Sequence, residues 1–219
     1  MKLRPFRHVI FDLDGVLLDT EPLYTKAIAD VAAQYGKVYD WSIKSQCIGR
    51  GTLEAAQTIV DMLGLPLGPR ALVEARDRTL LGLLAKASPM PGAVAFTRAL
   101  AARKFPMAIA TSSEAAIFAV KAAAHRDWLA IFGAVICGDD RRVGRPKPAP
   151  DIFLAAAAAL GAPPDTCLVF EDSPYGVAGA LAAGMQVVAM PDPAMDRARY
   201  TGAHAIVEGF ADVALPDAL

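Results

Sequence analysis

Two aspartates one residue apart, Asp12 and Asp14, directly follow a short apolar run near the start of the chain. The run predicts a β-strand over about residues 7–11, so both carboxylates lie where that strand ends. Two adjacent carboxylates are unfavourable unless a cation neutralises them. The pair therefore indicates a Mg²⁺ site with a built-in nucleophile. One carboxylate could attack a phosphoryl group, and the other could protonate the leaving oxygen and later activate water.

Three further segments carry groups that suit phosphate or metal. Thr111 and Ser112 offer hydroxyls and backbone N–H groups at a predicted helix start, where anions bind well. Lys147 stands between two prolines that stiffen its loop and fix where the ammonium points. Glu171 and Asp172 follow an apolar run, and one of them could complete an octahedral Mg²⁺ shell with Asp12, waters and a backbone carbonyl. Each segment alone also fits an ordinary structural role, as helix caps or a solvated lysine.

The elements that must position these groups alternate along the chain. Apolar runs predict strands, and the stretches between the later ones predict helices. The predicted strands are 8–11, 107–110, 134–137, 167–170 and 186–190, and the helices are 92–102, 114–124, 149–160 and 174–183. This alternation predicts an α/β fold with a parallel sheet and helices on both faces. Ligands of such sheets bind at the carboxyl ends of the strands, so we expect the four segments to meet there.

One stretch breaks the alternation, because residues 18–89 predict helices alone, over 22–35, 52–63 and 69–85. We interpret it as an inserted all-helical cap domain, which leaves a catalytic core of residues 1–17 and 90–219. An insertion directly after the aspartates favours a lid above them. The alternative is a helical subdomain that only enlarges the core.

Composition excludes several classes of protein. The 219 residues carry a net charge of −1, with 22 basic and 23 acidic residues, so a nucleic-acid partner is not expected. No run approaches the ~20 apolar residues that cross a membrane. The three cysteines form no CxxC pair and indicate a reduced, cytoplasmic protein. No exposed apolar helix face can be singled out, and we expect a monomer.

Taken together, the order DxD, Thr/Ser, Lys and Glu-Asp resembles the haloacid dehalogenase superfamily, in its phosphatase branch with a helical cap. The resemblance covers essentially the full length, and it implies a Rossmann-like core, Mg²⁺ dependence and an aspartyl-phosphate intermediate. By matching motifs, Asp12 resembles the nucleophile and Asp14 the general acid and base. The dehalogenases proper lack the second aspartate, so Asp14 argues against haloacid chemistry.

The same resemblance assigns the remaining motif residues. Thr111 and Lys147 look like phosphate binders, with Ser112 beside them. Asp172 resembles a metal ligand, and Glu171 a partner that acts on the metal through water or through other ligands. The backbone carbonyl of Asp14 would be a further metal ligand.

The cap is expected to set the substrate. Its segments DTEPLYTKAI and YDWSIKSQCIGRGTLEAAQTIVDMLGLP resemble those of phosphatases that act on pseudouridine 5′-phosphate and glycerol 3-phosphate. In that frame Arg50 lies on a cap loop that faces the site and could grip the substrate. A surface arginine is the equal alternative. Glu21 and Tyr24 are weaker candidates for lining the pocket.

These observations predict an enzyme that hydrolyses a small phosphate monoester of a sugar, polyol or nucleoside. A phosphosugar mutase of the β-phosphoglucomutase type is the nearest alternative. Such mutases carry a histidine where this chain has Tyr24, and a basic cap residue near the place of Thr52, so both positions weaken that alternative. A non-catalytic protein that binds phosphorylated metabolites is the third hypothesis.

Overall fold

Eight strands form two sheets in this computed structural model, which describes residues 3–48 and 50–214. The strands are β1 His8–Phe11, β2 Leu18–Asp19, β3 Ser88–Pro89, β4 Met107–Ala110, β5 Ala134–Ile136, β6 Cys167–Glu171, β7 Gln186–Ala189 and β8 Ala205–Ile206. Six of them form the central sheet in the order β5-β4-β1-β6-β7-β8, and neighbouring strands run parallel. The α/β class with a parallel, Rossmann-like sheet, predicted from the sequence, is confirmed.

Both faces of this sheet are buried, because successive side chains of a strand point to opposite faces. In β1, Val9 and Phe11 enter one hydrophobic cluster, and Ile10 enters the other. All three side chains are fully buried. This explains why the strand is continuously apolar rather than alternating.

The described residues contain nine α-helices, of which the first four belong to the insertion and the last five flank the sheet. They are α1 Glu21–Ala33, α2 Trp41–Cys47, α3 Thr52–Leu63, α4 Pro69–Leu84, α5 Ala93–Ala102, α6 Ala115–Ala122, α7 Arg126–Leu129, α8 Asp151–Ala159 and α9 Pro174–Ala182. Helices α5, α6 and α7 contribute to the cluster on one face of the sheet, and α8 and α9 to the cluster on the other. Among these helices, none is long and apolar enough to cross a bilayer.

An aromatic cluster lies directly beneath the carboxyl ends of the central strands. The rings of Phe11 and Phe170 stack with centroids 5.1 Å apart, and Phe96 and Phe210 pack around them. Phe11 and Phe170 are register partners in β1 and β6. The residue after each one is acidic, so the pairing of two buried strands sets two carboxylates side by side.

The insertion is joined to the core by two short strands that pair with each other. In this antiparallel pair Leu18 lies opposite Pro89, and Asp19 opposite Ser88. The four helices between them form a separate hydrophobic cluster, with Ile28, Ile59 and Leu72 among its members. The cap limits at residues 18 and 89 stay a prediction, which this pairing supports.

The cap packs against the core on two sides. Leu80 and Leu84 of α4 lie in one small cluster with Ile117 and Val120 of α6. Trp41 of α2 packs against the core cluster on the other face of the sheet. The insertion therefore contacts the core on both faces of the sheet.

The sequence located most of these elements within one or two residues. It missed α2, which follows the N-cap residue Asp40, whose side chain accepts hydrogen bonds from two backbone N–H groups. It also missed the short strands β2, β3 and β8, because two residues carry too little periodicity to indicate a strand.

Candidate active site

The predicted site residues of three strands meet at one edge of the sheet. Asp12 follows β1, Thr111 follows β4, and Glu171 ends β6. The backbone N–H of Asp12 donates to the carbonyl of Phe170 at 2.9 Å, which continues the pairing of β1 and β6 up to the site. The carboxyl ends of the parallel strands thus bring together groups that are far apart in sequence.

Lys147 ties two of these carboxylates together. Its Nζ lies 2.6 Å from Oδ1 of Asp12 and 2.5 Å from Oε1 of Glu171, and it lies 5.0 Å from the ring centre of Phe153. Burial alone would lower the pKa of Lys147, but the charges of Asp12 and Glu171 outweigh burial and raise it well above the usual value. Lys147 is therefore a fixed cation beside the candidate nucleophile.

The acidic groups at this edge form a cluster that suits a divalent cation. Asp12, Glu171 and Asp172 each offer one carboxylate oxygen, and these oxygens lie within 4.8 Å of one another. Burial raises the pKa of Asp12 to about 7, against the opposing charge of Lys147. Burial and the charges of Glu171 and Asp12 raise the pKa of Asp172 well above its usual value. The cluster thus holds more negative charge than its lysine offsets, and oxygen ligands of this kind fit Mg²⁺.

The three carboxylates differ in how their oxygens are engaged. Glu171 accepts a hydrogen bond from Lys147 through Oε1, and another from the backbone N–H of Ser173 through Oε2 at 2.8 Å. Within residues 3–48 and 50–214, no side chain donates to the carboxylate of Asp172. Asp12 and Asp172 are therefore the better placed direct ligands, and Glu171 fits an indirect role.

Asp172 reaches the first motif because residue 15 is a glycine. Gly15 has φ +76°, and a Cβ added there would lie 2.4 Å from Oδ2 of Asp172. Any other residue would meet both an unfavourable backbone conformation and the carboxylate. The glycine that follows the aspartate pair thus makes room for the candidate metal ligand.

Asp14 is surrounded by donors. Its Oδ1 accepts from the Thr20 hydroxyl at 2.6 Å and from Nζ of Lys121 at 2.5 Å. Its Oδ2 lies 3.1 Å from Oγ of Ser113 and 3.5 Å from Oγ1 of Thr111. The carboxyl group is thus oriented through both of its oxygens.

The structure does not bring every predicted site residue into this group. The side chain of Ser112 is exposed. Arg50 is exposed on the cap, where its guanidinium bonds the Gln46 carbonyl at 2.6 Å and pairs with Glu54 at 2.5 Å. In the described part of the chain, neither side chain hydrogen bonds to a carboxylate of the site.

Glu21 and Tyr24 of α1 do approach the site. Glu21 pairs with Lys44 of α2 at 3.3 Å, and its charge contributes to the raised pKa of Asp172. Burial raises the pKa of Glu21 itself, and Lys44 opposes the shift. The ring of Tyr24 lies 5.2 Å from Nζ of Lys121. The cap therefore presents one ion pair and one aromatic ring to the core.

Four functional candidates were missed from the sequence. Lys121 is the single charged residue of α6, and a lone lysine in an apolar helix was a signal that could have indicated it. Ser113 and Thr20 carry no such signal, since polar residues are ordinary in loops and helix caps. Lys44 carries none either, because lysine is an ordinary residue in a helix such as α2.

Comparisons with known proteins show which family the sequence and the fold match. The sequence model of the haloacid dehalogenase-like hydrolase family matches residues 6–184. A protein of Drosophila melanogaster named "Probable pseudouridine-5′-phosphatase" is 42% identical over 213 residues, which cover 96% of this chain and 92% of that protein. "(DL)-glycerol-3-phosphatase 2" of Arabidopsis thaliana is 39% identical over 94% of this chain and 88% of its own length. The crystal structure of a HAD family hydrolase from Deinococcus radiodurans R1 with bound phosphate and sodium superposes with a TM-score of 0.80 and 26% identity, over 95% of this chain and 93% of that one.

The first prediction concerns the space at Gly15. Gly15→Ala should weaken Mg²⁺ binding strongly, because the methyl group displaces the Asp172 carboxylate. Gly36→Ala is the matched control, since Gly36 also has a positive φ, of +68°, but has no atom within 4 Å of an added Cβ among the described residues. Both variants should lose about 1 kcal/mol of stability to backbone strain. Equal Mg²⁺ affinity in the two variants, measured by calorimetry, would contradict the prediction.

The second prediction concerns the excess negative charge. At about ten times its Kd, Mg²⁺ should stabilise the protein by about 1.4 kcal/mol and raise Tm by roughly 3–6 °C. Asp172→Asn should remove most of this gain, yet leave the metal-free protein as stable as the wild type or more so, because a buried like-charge repulsion is relieved. The surface variant Asp30→Asn serves as a control and should keep the full Mg²⁺ response. An undiminished response in Asp172→Asn would exclude Asp172 as a ligand.

Proposed function

The chain belongs to the haloacid dehalogenase-like hydrolase family, and from this premise we propose that it is a Mg²⁺-dependent phosphatase that hydrolyses a small phosphate monoester through an aspartyl-phosphate intermediate. The observation that carries the proposal is the contact of Lys147 with Asp12 and Glu171 inside a buried acidic cluster. A carboxylate beside a fixed cation, in a place where a divalent cation also fits, suits attack on a phosphoryl group.

The charges of the site support the same conclusion. Four carboxylates, those of Asp12, Asp14, Glu171 and Asp172, face the ammonium groups of Lys147 and Lys121. With Asp14 protonated for the first step, a divalent cation gives this set a net charge of +1, so that a phosphate dianion can enter without net repulsion. Asp12, Asp172 and the backbone carbonyl of Asp14 would hold the ion, which supplies a Lewis acid that neutralises phosphoryl oxygens.

In the proposed reaction, an Asp12 oxygen forms a bond to phosphorus while the bond from phosphorus to the leaving oxygen breaks. The protonated carboxyl of Asp14 gives its proton to that oxygen, and the alcohol departs. A water molecule then attacks the phosphorus of the aspartyl-phosphate and gives a proton back to Asp14, while the bond from phosphorus to the Asp12 oxygen breaks. Inorganic phosphate is released, and Asp12 returns to its starting state. Lys147 and the hydroxyl of Thr111 would stabilise the charge on the transferred group.

We propose that the cap determines substrate selectivity through Glu21 and Lys44. Their ion pair lies close enough to the site for the charge of Glu21 to act on Asp172. A carboxylate and an ammonium side by side can accept from and donate to hydroxyl groups, which suits the polyol, sugar or nucleoside part of a phosphate monoester. Arg50 stays a candidate whose guanidinium would first have to leave Glu54.

Hydrolysis is preferred to a mutase reaction because Tyr24 is in contact with a core lysine. A phenol packed on an ammonium group cannot replace the histidine expected in a mutase as a proton carrier near neutral pH. A non-catalytic binding protein has no need for the complete set of Asp12, Asp14 and Lys147.

The third prediction tests the nucleophile. Asp12→Asn should lower phosphate release from p-nitrophenyl phosphate with Mg²⁺ by at least about a thousandfold, because an amide is not a nucleophile at phosphorus. Asp30→Asn, the same substitution on the cap surface, should keep full activity. Mass spectrometry after borohydride reduction should find the modified residue at position 12 of the turning-over wild type. Full activity in Asp12→Asn, or binding of a phosphate panel without any turnover by the wild type, would exclude the proposal.

The fourth prediction tests the cap pair. Lys44→Met should change the ratio of kcat/KM between glycerol 3-phosphate and p-nitrophenyl phosphate by at least about tenfold, since it removes a donor to the alcohol part alone. Lys26→Met is the matched control, because Lys26 lies on the exposed side of α1 in a pair with Asp30. Pseudouridine 5′-phosphate should be measured alongside. If Lys44→Met leaves the ratio of kcat/KM relative to p-nitrophenyl phosphate unchanged for both alkyl phosphates, the ion pair does not contribute to substrate selectivity.

A further inference from the structure

Lys121 is an ammonium group that the proposed reaction does not use, and it is fully buried. It stands near the end of α6, whose other residues are apolar. Lysine is almost never fully buried unless it is paired, because removing its charge from water is costly. A methionine or leucine would fill the same volume at lower cost, so this position indicates a role beyond packing.

The contacts of Lys121 converge on one carboxylate. Its Nζ donates to Oδ1 of Asp14 at 2.5 Å and to Oγ of Ser113 at 2.8 Å. The Ser113 hydroxyl in turn lies 3.1 Å from Oδ2 of Asp14. Lys121 and Ser113 therefore hydrogen bond to both oxygens of Asp14 and fix the plane of its carboxyl group. Charge-assisted hydrogen bonds of this length are among the strongest that proteins form.

The third side of the ammonium faces the cap. The ring of Tyr24, on the first cap helix, lies 5.2 Å from Nζ. Around it, Leu80 and Leu84 of the cap pack with Ile117 and Val120 of α6. Moving the cap away from α6 would uncover the lysine and remove the aromatic face, so the lysine is enclosed only while the cap is docked.

We propose that Lys121 is a positioning residue, which holds the Asp14 carboxyl group in the orientation that transfers a proton to the leaving oxygen and takes one from water. The inference rests on the proposed function, in which Asp14 is the general acid and base. Tyr24 completes the surroundings of the ammonium, so that Asp14 is held correctly when the cap covers the site. Lys121 itself touches neither substrate nor metal in this role.

The positioning role can be tested by how the activity of Lys121 variants depends on the leaving group of the substrate. An alkoxide leaves only with a proton from Asp14, whereas p-nitrophenolate leaves without one. General acid catalysis contributes about 10²–10⁴-fold. In Lys121→Met, kcat/KM for the best alkyl phosphate of a metabolite panel should therefore fall about a hundredfold, and kcat/KM for p-nitrophenyl phosphate by less than about tenfold. With the aryl substrate, the aspartyl-phosphate should accumulate as a burst, because its hydrolysis also needs Asp14.

Three further variants and one structural control extend the test. Lys121→Arg keeps the cation and should restore part of the lost alkyl phosphatase activity. Ser113→Ala removes the hydroxyl shared by Asp14 and Lys121, and it should shift the alkyl-to-aryl ratio in the same direction by a smaller factor. Tyr24→Leu should do the same through the loss of the ring. Thr97→Val is the structural control, since it removes a buried hydrogen bond to Trp128 far from Asp14; it should lower Tm and change both substrates by one common factor.

Equal losses on the two substrates in folded Lys121→Met, or no loss at all, would overturn the inference. If Lys121→Met does not fold, Ser113→Ala becomes the test of the inference. An unchanged ratio of kcat/KM between the alkyl and aryl phosphates in Ser113→Ala would then overturn it as well. Failure of the proposed function has a different signature, because the wild type would then be inactive or Asp12→Asn would stay active. The two outcomes are thus separated before any Lys121 variant is measured.

Discussion

The dominant constraint on this protein is the crowding of four carboxylates at one buried edge of a parallel sheet. Asp12 and Glu171 are brought together by backbone pairing of two central strands, which the apolar core enforces. Asp172 follows directly and reaches over Gly15. Since like charges in a buried place repel strongly, the arrangement persists only because the surrounding packing holds it. Much of the remaining architecture can be understood as compensation for this crowding.

Two lysines provide that compensation, and each serves a different pair of groups. Lys147 comes from the loop before α8 and joins Asp12 to Glu171. Lys121 comes from α6, on the other face of the sheet, and joins Asp14 to Ser113. The candidate nucleophile and the candidate acid–base group are thus held by separate cations. This separation allows two neighbouring aspartates to have different tasks.

Much of the site could be predicted from the sequence, because the sequence shows where the buried strands end. Apolar runs located the central strands, and Asp12, Thr111 and Asp172 follow from their ends. Lys147 could be singled out only because prolines flank it. Lys44 was missed, since its contact depends on how the cap packs against the core. Lys121 was missed although its place in an apolar helix marks it as unusual, because its partner Asp14 is set by how α6 packs against the core. The placement of Arg50 on the surface pair with Glu54 depends likewise on tertiary packing.

The paired strands Leu18–Asp19 and Ser88–Pro89 place the entrance and the exit of the cap side by side. The backbone N–H of Met90 also donates to the carbonyl of Leu17 at 2.9 Å, which fastens the two crossings to each other. A segment whose two ends leave a scaffold from adjacent points can be exchanged as a cassette, because its replacement leaves the connectivity of the sheet intact. The same scaffold can therefore acquire new selectivity by grafting, with its reacting groups unchanged.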